Sequence, residues 1–300
     1  ATHPELVDYG VIRGIDELKG QYTTAATLER ETRIIKRWMR GQGQATPIMG
    51  IEASREAIIR LEAIYKIEWQ QSHDLKLQEL RAKITDGDTS KRTAKKLERI
   101  EGQEFKGLNK GQLGAVQGIL ATDNNNVIVY GLSGVGKTKS LRPTKDILDE
   151  LGIDTVWLAP SLAAVEVLTE DVGKQAYTLQ RLAYTDSIKL KPGQIIFVDE
   201  FGLADAECMD LASAKAEAAG ARLIGIGDHK QNQPIQAGSP MRSLMDHGAE
   251  VFKISEILRQ QDPIQKRAVE LIAEGKGVES IALLSEHGYV TEIQDPDKRQ

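Results

Sequence analysis

Hydrophobic and polar positions divide this chain into two textures. In the first hundred residues the apolar positions recur at helical spacing. Leu28, Ile34, Ile35 and Trp38 form one stripe of a helix that is predicted to start after Thr23-Thr24, an N-cap signal, and to run to about Arg40. Arg30, Arg33, Lys36, Arg37 and Arg40 fall largely on the other side, as expected of a solvated face or of one that meets nucleic-acid phosphates. Ile58, Leu61, Ile64, Tyr65 and Leu75 predict a long helix from Ser54 to about Arg81. After a break at Asp86 to Ser90, a short basic helix is expected from Lys91 to Ile100, carrying Arg92, Lys95, Lys96 and Arg99. From Leu108 short apolar runs alternate with helical stretches, the texture of a parallel sheet, with strands predicted at 127–130, 153–159, 194–198 and 221–226. Residues 1–20 show no strong period and read as a loose lead-in. Residues 1–106 are therefore expected to form a small, mainly helical domain and residues 107–300 an α/β domain, with a boundary near Gly102 to Gly107.

The strand predicted at 127–130 runs into GLSGVGKT, Gly131 to Thr138. A G-x-x-x-x-G-K-[ST] pattern between a strand and a helix is the context in which it signals a phosphate-binding loop. Gly131, Gly134 and Gly136 let the backbone curl so that its N–H groups face phosphate oxygens. Lys137 is expected to reach the β- and γ-phosphates of a nucleotide, and the Thr138 hydroxyl to ligate Mg²⁺. Pro143, about two turns into the following helix, lacks a donor and is expected to kink it.

Three downstream stretches extend the site. Ile195-Ile196-Phe197-Val198 is a buried-strand pattern ending in Asp199-Glu200, and acids beyond the carboxyl end of such a strand project towards the phosphate loop. Asp199 is the expected Mg²⁺ holder, and Glu200 the residue that positions and deprotonates the attacking water. Gly227-Asp228 follows another strand, with Gln231 a candidate γ-phosphate sensor and Asp228 an anchor for its loop; a simple turn explains that pair equally well. Arg259, near the predicted end of the sheet, offers a cation for the charge that develops in phosphoryl transfer. Gln112, ahead of the first core strand, is a candidate for hydrogen bonding to an adenine edge.

Composition narrows the context. Net charge is −5, with residues 1–107 at +2 and the remainder at −7, so a generally basic nucleic-acid coat is excluded while a local groove is not. One cysteine, Cys208, rules out an internal disulfide and suits packing or exposure on a helix. No segment approaches the roughly 20 apolar residues that span a bilayer and no signal peptide is visible, so a cytoplasmic location is expected. The five histidines have no metal-site spacing. The charged last residues and the Ala-Thr-His start suggest that both ends are cuts in something longer.

Taken in order, these stretches resemble the first motor domain of a superfamily 1 helicase of the RecD-like branch, from Leu108 to about Ala273. The resemblance rests on the Gln112 segment, GLSGVGKT, LAPSLAAVEVL (158–168), TLQRL (178–182), IIFVDE, GIGDHKQNQPIQAG (225–238) and EILRQ (256–260). It is most similar to the helicase part of conjugative relaxases of the TraI or TrwC type, where a YTT…E stretch like Tyr22-Thr23-Thr24 through Glu29 or Glu31 also precedes the motor. The resemblance implies a P-loop NTPase (RecA-like) fold in the α/β class, with the sheet flanked by helices. It implies ATP and Mg²⁺ as cofactors, and Lys137, Thr138, Asp199, Glu200, Gln231 and Arg259 at the ATPase positions. Pro160, Ser161 and Thr178 would lie along the path of single-stranded DNA. Phe201-Gly202-Leu203 departs from the small-polar-Met usual after the acids, which puts the coupling of ATP to DNA there in question.

The expected function is thus an ATP-binding piece of an ATP-dependent DNA helicase in plasmid transfer. The second motor domain would be missing after residue 300, so that ATP is bound but hydrolysed poorly. The nicking chemistry of a relaxase is not expected, because Tyr22 and Tyr65 have no histidine cluster near them in sequence. A non-catalytic, helicase-like module for strand binding or targeting is the alternative. An NTPase of another class, sharing just the phosphate loop, is a third.

Overall fold

The structure, a computed structural model, describes residues 6–8, 22–86, 90–131, 137–228, 238–254, 263–273 and 275–290. A short antiparallel pair, β1 (Leu6–Asp8) and β2 (Tyr22–Thr24), leads into α1 (Ala25–Arg40), whose N-cap Thr24 accepts the Thr27 N–H at 3.1 Å. Next come α2 (Ile51–Thr85), α3 (Lys91–Glu101) and α4 (Lys110–Ala121). The remaining elements alternate: β3 (Asn126–Gly131), α5 (Lys137–Glu150), β4 (Thr155–Ala159), α6 (Leu162–Val172), β5 (Ala176–Thr178), α7 (Leu179–Tyr184) and β6 (Ile195–Val198). After a 3-10 turn at Phe201–Leu203 come α8 (Ala206–Ala219), β7 (Arg222–Gly227), α9 (Pro240–Asp246), β8 (Val251–Ile254), α10 (Pro263–Ala273) and α11 (Gly277–Glu286). The helices at the Thr24 cap and at Lys91 and the four expected core strands form near their expected positions. The three-residue β5 and the four-residue β8 are additions that no sequence signal had marked. Helix α5 runs unbroken through Pro143.

Six strands form one sheet in the order β5-β4-β6-β7-β3-β8, and every pairing within it is parallel. Parallel sheets are covered on both faces, so their strands read as continuous apolar runs rather than as alternation. Ile195, Ile196, Phe197 and Val198 of β6 are accordingly all buried. Successive side chains enter opposite layers. Trp157 and Phe197 stack at 4.2 Å in the layer that holds Ile58 and Leu61 of α2 with α4, α5 and α6. Leu158, Ile196 and Val198 enter the other, with Ile34 and Trp38 of α1 and with α7, α8 and α9. Thus α1 and the first half of α2 share the two cores with the sheet. Cys208 is fully buried in the second layer, and burial, with Asp205 and Glu207 nearby, pushes its thiol up to about 12.

Four of the five cations of α1 meet acids on α8, Arg33 and Arg40 while still partly exposed, and Lys36 faces solvent. Arg30 pairs with Glu207 at 3.0 Å, and Arg40 pairs with Glu217 at 2.7 Å. Between them Arg33 donates to Asp210 through Nε at 2.9 Å, and Arg37 donates to the other oxygen of the same carboxylate. Burial works against the Asp210 carboxylate, but the hydrogen bonds from Arg33 and Arg37 outweigh it and hold the group below the usual carboxylate range.

Candidate nucleotide-binding site

Strand β7 lies between β3 and β6, in register through Tyr130 with Gly227 on one side and Val198 with Gly225 on the other. Because the three strands are parallel, their carboxyl ends form one edge, where ligands of open α/β sheets bind. At that edge β3 ends at Gly131, and Lys137 and Thr138 open α5. Strand β6 runs directly into Asp199-Glu200, and β7 into the buried Asp228. Burial, and then the Asp228 carboxylate, push the Tyr130 phenol above its ordinary range, so Tyr130 stays neutral beside an acid at the floor of this edge. Gly134 and Gly136 in the phosphate-loop pattern, Gln231 and Arg259 lie outside the described residues.

The two acids of β6 are held in different ways. The Asp199 N–H continues the ladder to Leu158 at 2.8 Å, and its Oδ1 accepts the Glu200 N–H at 2.9 Å, which fixes the carboxylate against its own backbone. Glu200 adopts a left-handed conformation, φ 48° and ψ 39°, and is the one non-glycine residue with positive φ among the described residues. Such a backbone costs about 1–3 kcal/mol and persists where packing enforces it. Here the enforcing contact is the next residue. Phe201 is fully buried and stacks on Trp38 of α1, with centroids 5.9 Å apart and planes 10° from parallel. A Cβ on Gly225 would sit 2.2 Å from the Phe201 ring, and one on Gly227 would sit 2.8 Å from the Gly202 nitrogen. The glycines of β7 therefore clear the floor on which the turn after Glu200 lies. The departure at Phe201-Gly202-Leu203 is a packing device that links the acidic strand end to α1.

A second link runs through one of the two acids of the YTT…E stretch. Glu31 of α1 is buried, and its Oε1 accepts the Ser239 N–H at 2.7 Å, just ahead of α9. The preceding Gly238 has φ +99° and no room for a Cβ, which would meet Ala206 at 2.5 Å and the Glu31 carboxylate at 3.1 Å. Glu31 thus holds the end of the segment that leaves β7 through Asp228. The available signal was an acid at position 31 on a face otherwise buried at Thr27, Ile34 and Trp38.

The remaining expected positions are placed as follows. Gln112 is fully buried in a capping box at the start of α4, where its Oε1 accepts the Asn109 N–H at 3.0 Å and its own N–H donates to Asn109 Oδ1 at 2.8 Å. Ser161 caps α6 and Thr178 caps α7. The carboxyl ends of β4 and β5 are neighbours through Ala159 and Thr178, and Gln180 Nε2 donates to the Pro160 carbonyl at 3.3 Å, so these three positions cluster at one corner of the same edge. Tyr65 sits beside α5: its hydroxyl donates to Asp146 and Arg142 stacks over its ring at 4.3 Å.

Comparison with known proteins gives this arrangement a family. The model for the AAA domain (AAA_30) matches residues 107–295, more than half of the chain. The chain belongs to that family. This AAA domain is 28% identical over 188 residues to the multifunctional conjugation protein TraI of Escherichia coli K12, a match covering 59% of the chain and 11% of TraI. It is 29% identical over 156 residues to the ATP-dependent RecD2 DNA helicase of Deinococcus radiodurans, covering 49% of the chain and 21% of that protein. It is 33% identical over 121 residues to a probable conjugal transfer protein TraA of Sinorhizobium fredii, covering 39% and 11%. The chain thus spans between about a tenth and a fifth of the length of these relatives. It is a RecD-like superfamily 1 helicase domain related to conjugative relaxases, and its family implies nucleotide binding. Among the described residues, no helix is long and apolar enough to cross a membrane.

Proposed function

We propose that this chain is the ATP-binding motor portion of an ATP-dependent DNA helicase that moves along single-stranded DNA, in the cytoplasm, as part of a conjugative relaxase-helicase. The observation that carries this reading is the shared sheet edge, on which the end of β3 with the start of α5, the Asp199-Glu200 end of β6 and the Asp228 end of β7 lie side by side. The G-x-x-x-x-G-K-T pattern of residues 131–138, with Lys137 opening a 14-residue helix, suits the phosphates of ATP. Hard oxygen donors, the Asp199 carboxylate and the Thr138 hydroxyl, suit Mg²⁺, which when bound neutralises charge on the phosphates. Lys137 adds a cation to the same phosphates, and Glu200 orients and takes a proton from the attacking water. Gln231 and Arg259 bear on the γ-phosphate, and Pro160, Ser161 and Thr178 on the strand of DNA.

Binding of a fluorescent ATP analogue, together with ATP hydrolysis with and without a single-stranded oligonucleotide, tests the reading. Lys137→Ala is expected to lose nucleotide binding, and Glu200→Gln to bind nucleotide but lose hydrolysis. Nucleotide binding that survives Lys137→Ala unchanged would sink the proposal.

A further inference from the structure

Helices α2 and α3 form an arm. Helix α2 has 35 residues, and its buried side chains in the sheet core, Ser54, Ile58 and Leu61, all lie in its first third. At about 1.5 Å per residue the rest extends well beyond them. Helix α3 packs back along that outer part: Ile100 is buried, the Ile100 carbonyl lies 2.8 Å from His73 Nε2, and Arg81 pairs with Glu101 at 2.8 Å. Beside that packed side α3 carries Arg92, Lys95, Lys96 and Arg99, spaced i, i+3, i+4 and i+7, which places them on one stripe along its flank. All four are exposed, and their stems enclose an open concavity of about 400 Å³. None of the four forms an ion pair with a described residue; Glu98, at the flank of the stripe, is the nearby acid on the same helix.

We propose that this stripe of α3 is a nucleic-acid contact that grips the phosphate backbone without reading sequence, separate from the motor's own strand path. In a chain of net charge −5 these four cations are held together at an exposed site where none of them pairs with an acid among the described residues. Their span, about 10 Å from Arg92 to Arg99, matches two or three successive phosphates of a strand. Lysine and arginine without aromatic neighbours on α3 favour the backbone over stacked bases. The choice of DNA as partner rests on the helicase reading; the existence of a polyanion site does not.

The test uses the intact 300-residue chain and a variant with Arg92→Glu, Lys95→Glu, Lys96→Glu and Arg99→Glu. Anisotropy of a labelled oligo-dT strand is titrated at several KCl concentrations, and binding of a fluorescent ATP analogue is read on the same samples. The slope of log Kobs against log[salt] is expected to fall in magnitude by about 1.5 to 2, at about 0.7 for each of the two or three phosphates that the variant no longer neutralises, with nucleotide binding unchanged. Lys137→Ala is expected to do the reverse, losing nucleotide and keeping the slope. A variant slope equal to that of the wild type overturns the proposal, as does tighter binding of the wild type to vesicles rich in anionic lipid than to the oligonucleotide. Loss of slope in the α3 variant, combined with no Lys137-dependent nucleotide binding, would sink the motor reading and leave the α3 contact standing.

Discussion

Both α1 and α3 carry cations at three- and four-residue spacing, but those of α1 face acids on α8 while those of α3 face outward. On α1, Arg30, Arg33, Arg37 and Arg40 meet Glu207, Asp210 and Glu217. On α3, Arg92, Lys95, Lys96 and Arg99 likewise fall on one helical stripe, but none forms an ion pair with a described residue. What separates the two is the apolar side of each helix. Helix α1 buries Ile34 and Trp38 in the core beneath the sheet, which brings its flank within reach of α8. Helix α3 buries just Ile100, against the outer part of α2, and its cationic flank meets no ion-pair partner among the described residues. A row of cations therefore becomes a structural seam or an open surface according to how much apolar surface docks the helix beside it.

The strongest way to break the comparison is to undock α1. Trp38→Ala removes a fully buried indole from its stack on Phe201 and is expected to cost about 3–5 kcal/mol in urea unfolding. Because Phe201 follows Glu200 directly, the same change should weaken ATP hydrolysis more than nucleotide binding. A loss below about 1 kcal/mol would mean that α1 is not part of the core it touches.

Next comes the seam. Asp210→Ala leaves Arg33 and Arg37 without their shared carboxylate, and we expect a loss of about 2–3 kcal/mol at neutral pH, discounted from a fully buried pair because Arg33 is half exposed. The pH dependence has a definite sign. The folded carboxylate is held below its ordinary range, so its contribution is complete above the unfolded value of about 3.9 and is lost as pH falls through the lower folded value. The gap in unfolding midpoint between wild type and Asp210→Asn should be flat from about pH 5 to 8 and close below about pH 4. A gap that widens on acidification would contradict the pairing.

Glu31 gives a smaller effect on the same helix. Glu31→Ala strips the Ser239 N–H of its acceptor in a buried setting, an expected loss of about 1–2 kcal/mol, whereas Glu31→Gln retains an acceptor oxygen and should cost less. Equal losses in the two variants would show that the hydrogen bond is not what matters there.

These residues also mark how far the sequence could be read. The sheet's central strands and the phosphate-loop context were legible because buried parallel strands leave long apolar runs, and Asp199-Glu200 stood out at the end of one. Strands β5 and β8 were not: each is three or four residues long at an edge of the sheet, and β8 includes the exposed Lys253, so neither leaves a run. The cations of α1 suggested solvent or phosphate because their partners on α8 lie more than 170 positions away, and no local pattern joins the two helices. Phe201 appeared as a departure from a motif because the reason for it, the cleared floor at Gly225 and the ring of Trp38, is tertiary. Glu31 was marked as one of two acids in the YTT…E stretch, but its burial was not legible, because the stripe was read as Leu28, Ile34, Ile35 and Trp38 and left out Thr27 and Glu31.

The smallest effect is also the sharpest, because it has the opposite sign. On α3 the cations neighbour one another at i+3 and i+4, and like charges at that spacing destabilise a helix by a few tenths of a kcal/mol per pair. Lys95→Gln with Lys96→Gln removes such repulsion and breaks no ion pair with a described residue. The double variant should therefore be neutral or more stable by up to about 0.5 kcal/mol, while it weakens binding to an oligonucleotide. The corresponding removal on α1, Arg33→Gln with Arg37→Gln, should destabilise, because it leaves the largely buried Asp210 carboxylate without its donors. Urea unfolding of the two double variants in low and high salt reads both signs at once. If the α3 variant were destabilised as much as the α1 variant, the α3 cations would be holding the arm together, and their stripe would be a second seam rather than an open surface.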